Sequence, residues 1–128
     1  MKFGKARKIF IVEDDELQSS LLMDRLTRDI PHTVTIFPTG EDCLKHIHEN
    51  PEIIILDYHL NKDKKDAATG MEILTVIKKA NPDIHIIMLS SQERYSIALQ
   101  SIQKGAEQYV VKDATAFEKI NNLVNDLK

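Results

Sequence analysis

With 128 residues and a formal net charge of −3, the chain can bury one good core, and it lacks the basic surface that non-specific nucleic-acid binding requires. Its single cysteine, Cys43, excludes an internal disulfide and fits a reducing compartment. The basic start MKFGKARK leads into only four apolar residues, 9–12, too few for a signal-peptide core or a membrane span. The expectation is one soluble, cytoplasmic domain over residues 1–128, with residues 1–6 as a short basic tail.

In chain order, the first β-branched run is KIFIV (8–12), and it ends in the acids Glu13, Asp14, Asp15 and Glu16. A helical stripe follows: Leu17, Leu21, Leu22, Leu26 and Ile30, closed by Pro31. The second strand, TVTIF (33–37), runs into PTG, where Thr39 can cap a helix carrying Leu44 and Ile47. The third strand, EIIIL (52–56), ends in Asp57 and precedes a polar stretch, NKDKKDAAT (61–69). Ile73, Leu74 and Ile77 mark the third helix, which Pro82 terminates. IHIIML (84–89) is the fourth strand, ending in Ser90 and Ser91, and Ile97, Ala98 and Ile102 mark the helix before Gly105. The fifth strand, QYVV (108–111), ends in Lys112. Thr115 can cap a last helix bearing Phe117, Ile120, Val124 and Leu127.

Five strand–helix repeats imply an α/β fold, a doubly wound five-stranded parallel sheet with right-handed crossovers. The strands near 53–56 and 86–89 are almost unbroken apolar runs, as expected when helices cover both faces. In such a sheet all strand C-termini share one edge, and ligands bind there where strand order reverses. For the order 2-1-3-4-5 that point lies between the first and third strands. Glu13, Asp14 and Asp57 would then meet, flanked by Ser90 and Lys112. Two carboxylates about 4 Å apart repel by roughly 4 kcal/mol at an effective dielectric near 20. One lysine does not balance three of them, so either one is protonated or a divalent cation sits among them. All-oxygen donors in small number suit Mg²⁺, and a carboxylate beside it can itself accept a phosphoryl group.

These motifs are similar to those of a known family. IVEDD after the first strand, IIILD ending in Asp57, IIMLSS and GAEQYVVK occur together in order. The chain resembles the receiver domain of two-component response regulators from about residue 8 to residue 127. The resemblance implies a flavodoxin-like (βα)5 fold. It also implies phosphoryl transfer to Asp57 from a histidine kinase or phosphotransfer protein, and signalling through a conformational change toward a downstream protein target. It implies Mg²⁺ held by Asp14, by Glu13 through water, by Asp57 and by the backbone carbonyl of His59. It gives Ser90 and Lys112 contacts to the phosphoryl group and makes Tyr109 an aromatic switch coupled to Ser90. No nucleic-acid or membrane contact is implied, and the oligomeric state is open, a phosphorylation-dependent dimer included.

Three departures stand out. The usual Met-Pro after the acceptor is replaced by His59-Leu60-Asn61, and Gly70 comes late, so residues 61–69 read as an insertion of roughly five. Asp113 stands where a proline usually follows the lysine, and the expectation is a stand-alone receiver without an output domain after the last helix. The first two support an alternative, a pseudo-receiver that binds partners without phosphorylation. Elsewhere the bland readings serve. Asp15 and Glu16 fit a helix start, and Cys43 fits inert packing. His32, His46, His48 and His85 fit solvated or half-buried positions, with His46 and His48 not facing each other.

Overall fold

A computed structural model describes residues 5–60, 69–91 and 94–127. Five parallel strands, β1 (Lys8–Val12), β2 (Thr33–Phe37), β3 (Ile53–Asp57), β4 (His85–Ser90) and β5 (Gln108–Val111), form one sheet in the order β2-β1-β3-β4-β5. The expected topology is therefore the observed one. The helices are α1 (Glu16–Thr27), α2 (Gly40–Leu44), α3 (Gly70–Ala80), α4 (Tyr95–Gln103) and α5 (Ala116–Asp126).

Strand alternation sorts the core into two layers. Phe10, Val12, Ile54, Leu56, Ile86 and Met88 face Cys43 of α2 and Ile73, Leu74 and Ile77 of α3. Ile9, Ile11, Ile53, Ile55, Ile87 and Leu89 face Leu22 and Leu26 of α1 and Ile120 and Val124 of α5. The central strands carry isoleucine or leucine on both faces because both faces are covered. Arg25 of α1 forms an ion pair with Glu118 of α5 across the second layer.

The caps follow local chemistry. The Asp15 carboxylate accepts from Gln18 N at the head of α1, and Thr39 Oγ1 accepts from Asp42 N at the head of α2. Thr69 and Glu72 form a reciprocal capping box at the head of α3. Gly105 takes φ 113° just beyond α4, where a side chain would be strained.

Several expectations need correction. Thr115 precedes α5, yet its hydroxyl makes no cap bond; it donates to Asp113, whose carboxylate also accepts the Thr115 N–H. The second helix stops at Leu44 and a 3₁₀ turn, Ile47–Glu49, follows. Asn50, at φ 58°, ends that turn ahead of Pro51, which disfavours helix in the residue before it. The tighter winding brings the His46 and His48 rings to 6.2 Å and His46 Nδ1 to 2.7 Å from Glu49. His32 is buried, not solvated. Its Nδ1 accepts the Arg7 N–H at 2.9 Å, which leaves Nε2–H to donate to Asn125 Oδ1 at 3.0 Å. Leu17, Leu21 and Ile102 belong to the expected apolar stripes but stay exposed, and Ser101 is the buried residue of α4.

Cys43 is fully buried, and burial pushes its thiol up to about 12. Only the thiolate attacks electrophiles. The native protein should therefore resist a disulfide exchange reagent at pH 8 and react within the dead time of mixing once unfolded in guanidinium. Rapid labelling of the folded protein would contradict this packing.

Candidate phosphoryl-acceptor and metal site

Register builds the site. Val12 pairs with Leu56, Asp57 with Leu89, and Ser90 with Val111, so Glu13 and Asp57 end level with each other while Ser90 and Lys112 lie one and two residues further along their strands, in a staggered row at the C-terminal edge. Three further hydrogen bonds carry the ladder just past the strand ends. Glu13 N donates to Phe37 O at 3.0 Å, Tyr58 N to Leu89 O at 2.9 Å and Lys112 N to Ser90 O at 2.8 Å. Backbone groups thus hold the row before any side chain acts.

Within it, Glu13 and Asp57 are almost wholly buried, Asp14 is half-buried and Ser90 is buried. Each of the three acids offers an oxygen within 4.8 Å of the others. Lys112 Nζ lies 3.0 Å from Glu13 Oε1 and 3.2 Å from Asp57 Oδ2, bridging the ends of β1 and β3. The remaining oxygens are steered by main-chain donors. His59 N donates to Asp57 Oδ1 at 3.1 Å, and Asp15 N donates to Glu13 Oε2 at 3.2 Å.

Protonation follows this geometry. Burial first, then the adjoining Asp57, raises the Glu13 carboxyl above its usual range, and Lys112 offsets only part of that. Burial alone would lower the Lys112 ammonium, but Asp57 and Glu13 together hold it above its usual value. A third carboxylate beside a lysine already shared by two leaves negative charge uncompensated. Hard oxygen donors in that number are a fitting partial shell for a divalent cation that keeps waters, and Glu13, Asp14 and Asp57 would supply it.

The sequence-derived residues therefore divide. Glu13, Asp14, Asp57 and Lys112 come together by direct geometry, and Ser90 lies on the adjacent strand end. Tyr109 lies lower on β5, opposite Met88 and half-buried against the first core layer. His59 touches Asp57 through its N–H. No cis peptide bond occurs among the described residues, Lys112–Asp113 included. The stretch 61–69 lies outside the described residues except for Thr69. Sequence reasoning missed how closely Gly70 packs on the Asp57 main chain. The signal available for it was the capping-box pattern T-x-x-E (69–72), which starts a helix right there.

Comparison with known proteins identifies the family. Residues 9–125 match the family described as the response regulator receiver domain. The chain belongs to that family. Among relatives of this receiver, the luminescence regulatory protein LuxO of Vibrio campbellii is 27% identical over 91% of this chain and 24% of its own length. The transcriptional regulatory protein KdpE of Staphylococcus aureus is 30% identical over 82% of this chain and 43% of its own. The receiver thus spans about a quarter of the length of the first relatives it matches. In structure it is similar to the BeF3-activated receiver domain of DrrB, a protein from Thermotoga maritima. The TM-score is 0.80 at 28% identity, covering 94% of this chain and 95% of that one.

Two outcomes follow from the charge balance. Folded Glu13 binds its proton more tightly than unfolded Glu13, so its ionisation costs stability as pH rises from 4.5 through the raised folded value. In metal-free buffer, wild type should lose stability relative to Glu13→Gln across that window, as denaturant titrations at successive pH values would record. At pH 7 without metal, Asp14→Asn and Asp57→Asn should each melt a few degrees higher than wild type, a gain of about 1 kcal/mol moving a domain of this size by roughly 4 °C. Lower melting temperatures for both would contradict an electrostatically strained cluster.

Proposed function

We propose that the chain is a phosphorelay receiver in which Asp57 accepts a phosphoryl group from a phosphohistidine of a histidine kinase or phosphotransfer protein. The observation that carries this is the single ammonium of Lys112 shared by Glu13 and Asp57, with Asp14 beside them, at the sheet edge. The resident cofactor would be Mg²⁺, which Glu13, Asp14, Asp57 and the backbone carbonyl of His59 would hold and which would supply positive charge for the phosphoryl oxygens.

In the transfer, an Asp57 carboxylate oxygen attacks phosphorus in line and the phosphorus–nitrogen bond breaks, its electron pair going to the donor imidazole, which is protonated at its other ring nitrogen and so departs neutral. Asp57 is buried and held by the His59 N–H, so one oxygen is already oriented and little water competes. Lys112 exchanges one carboxylate contact for a phosphoryl oxygen, and its raised basicity keeps it charged throughout. Ser90, at the end of β4, donates its hydroxyl to the phosphoryl group once it is in place, and Tyr109 follows that movement. The chain acts as a cytoplasmic signalling module that catalyses only its own phosphorylation and dephosphorylation. Among the described residues no helix is long and apolar enough to cross a membrane.

Incubation with acetyl phosphate and Mg²⁺ should give a single acyl-phosphate at Asp57 by mass spectrometry of the borohydride-trapped protein. Asp57→Asn should give none, and Lys112→Ala should react at least about 100-fold more slowly, the usual scale for removing one charge-stabilising donor. Partner binding unaffected by Asp57→Asn, together with no adduct in wild type, would instead indicate a module that works without phosphorylation.

A further inference from the structure

Gly70 opens α3, and alanine would be the better helix former there. Its backbone lies outside the left-handed region, since Gly105 is the glycine of positive φ among the described residues. Torsion angles therefore do not explain the glycine. Space does. A Cβ at Gly70 would stand 2.3 Å from the Asp57 carbonyl oxygen, 2.7 Å from Tyr58 Cα and 3.0 Å from the Asp57 carbonyl carbon. All three are main-chain atoms of the segment that carries the acceptor. The Gly70 N–H also donates to the Tyr58 carbonyl at 3.0 Å.

Neither side of this contact yields easily. β3 is paired on both edges, with Asp57 opposite Leu89 and Tyr58 N bonded to Leu89 O. α3 is seated by Ile73, Leu74 and Ile77 in the first core layer, and its start is pinned by the Thr69–Glu72 box. We propose that Gly70 is a positioning residue for the acceptor. Its bare Cα lets the first turn of α3 clamp the Asp57–Tyr58 main chain, which aims the Asp57 carboxylate at Lys112 and at the cation-binding acids. The inference rests on the receiver reading, because it assigns Gly70 to the same site.

Gly70→Ala must open the contact by roughly 1 Å to reach ordinary van der Waals separation, and misplacement of that size is costly in a preorganised site. Gly40 provides the control. A Cβ there would crowd Ile73 Cγ1 at 2.2 Å, but that neighbour is a side chain away from the site and can be trimmed. Gly70→Ala and Gly40→Ala are compared with wild type by amide NMR during Mg²⁺ titration, with denaturant unfolding run in parallel. Gly70→Ala should keep a native-like spectrum away from the strand edge while its Mg²⁺ affinity falls about tenfold or more, the scale seen when the support of a metal ligand is lost. Gly40→Ala should lose stability and bind Mg²⁺ as wild type does, and Ile73→Ala, which removes the clashing Cγ1 and Cδ1, should relieve its crowding.

Wild-type Mg²⁺ affinity in Gly70→Ala would overturn the inference, as would an equal loss of affinity in Gly40→Ala. Should Gly70→Ala fail to fold, Thr69→Ala/Glu72→Ala loosens the same turn without adding bulk. That variant should weaken Mg²⁺ by about two- to fivefold, short of the loss expected for direct displacement, and unchanged affinity would again overturn the inference. The two readings fail separately. Absence of an acyl-phosphate in wild type defeats the receiver assignment, while the Mg²⁺ comparison still decides whether Gly70 positions Asp57.

Discussion

One ammonium group between two buried carboxylates organises this molecule. Lys112 joins the ends of β1 and β3 by meeting Glu13 and Asp57 from the end of β5, so three strands converge on a single charge. Each carboxylate would be costly to bury alone, and removing Lys112 would leave both without their counter-charge away from water. The sheet makes the convergence possible because parallel strands deliver their last residues to the same edge in a fixed register. The two core layers therefore act as scaffolding for an arrangement that repels itself in part. Its residual negative charge is what would make a divalent cation welcome.

Much of this is legible in the chain. The short β-branched runs at 8–12, 33–37 and 53–56, bounded by turn residues and helical stripes, read as strands, and the parallel topology follows from their alternation with helices. Glu13, Asp14, Asp57 and Lys112 were readable for the same reason, since position after a strand is a statement about location in space. Tertiary competition was harder to read. The five-member stripe of α1 is wider than the face the sheet offers, so Leu17 and Leu21 are left out. His32 looks like a polar loop residue, yet long-range partners on Arg7 and Asn125 satisfy both ring nitrogens and let it be buried. The shortened α2 depends on Asn50 taking a left-handed conformation, which composition alone does not announce.

The helices are also unequal. α3 and α5 each place several side chains in a core layer, and α1 is tied to α5 through Arg25 and Glu118. α4 buries Ser101 while Tyr95, Leu99 and Ile102 remain exposed. An element with so little buried apolar surface belongs to the low end of local stability, where opening costs a small fraction of the global free energy. The strand that precedes α4 ends in Ser90, beside the acidic cluster. The site and a helix with little buried apolar surface are thus neighbours in the chain.

The meeting of Tyr58 and Gly70 has a consequence for chain length. Because a hydrogen bond and a backbone contact join these two residues, the two ends of the chain between them are tied together at a neck. Residues added between such ends alter mainly closure entropy, which grows only logarithmically, by about 0.6 kcal/mol for each doubling. The neck isolates Asp57 from that cost. A connection next to the most geometrically demanding residue of the protein is thereby free to vary in length and composition, and a lineage can explore new surface there without re-solving the chemistry beneath it.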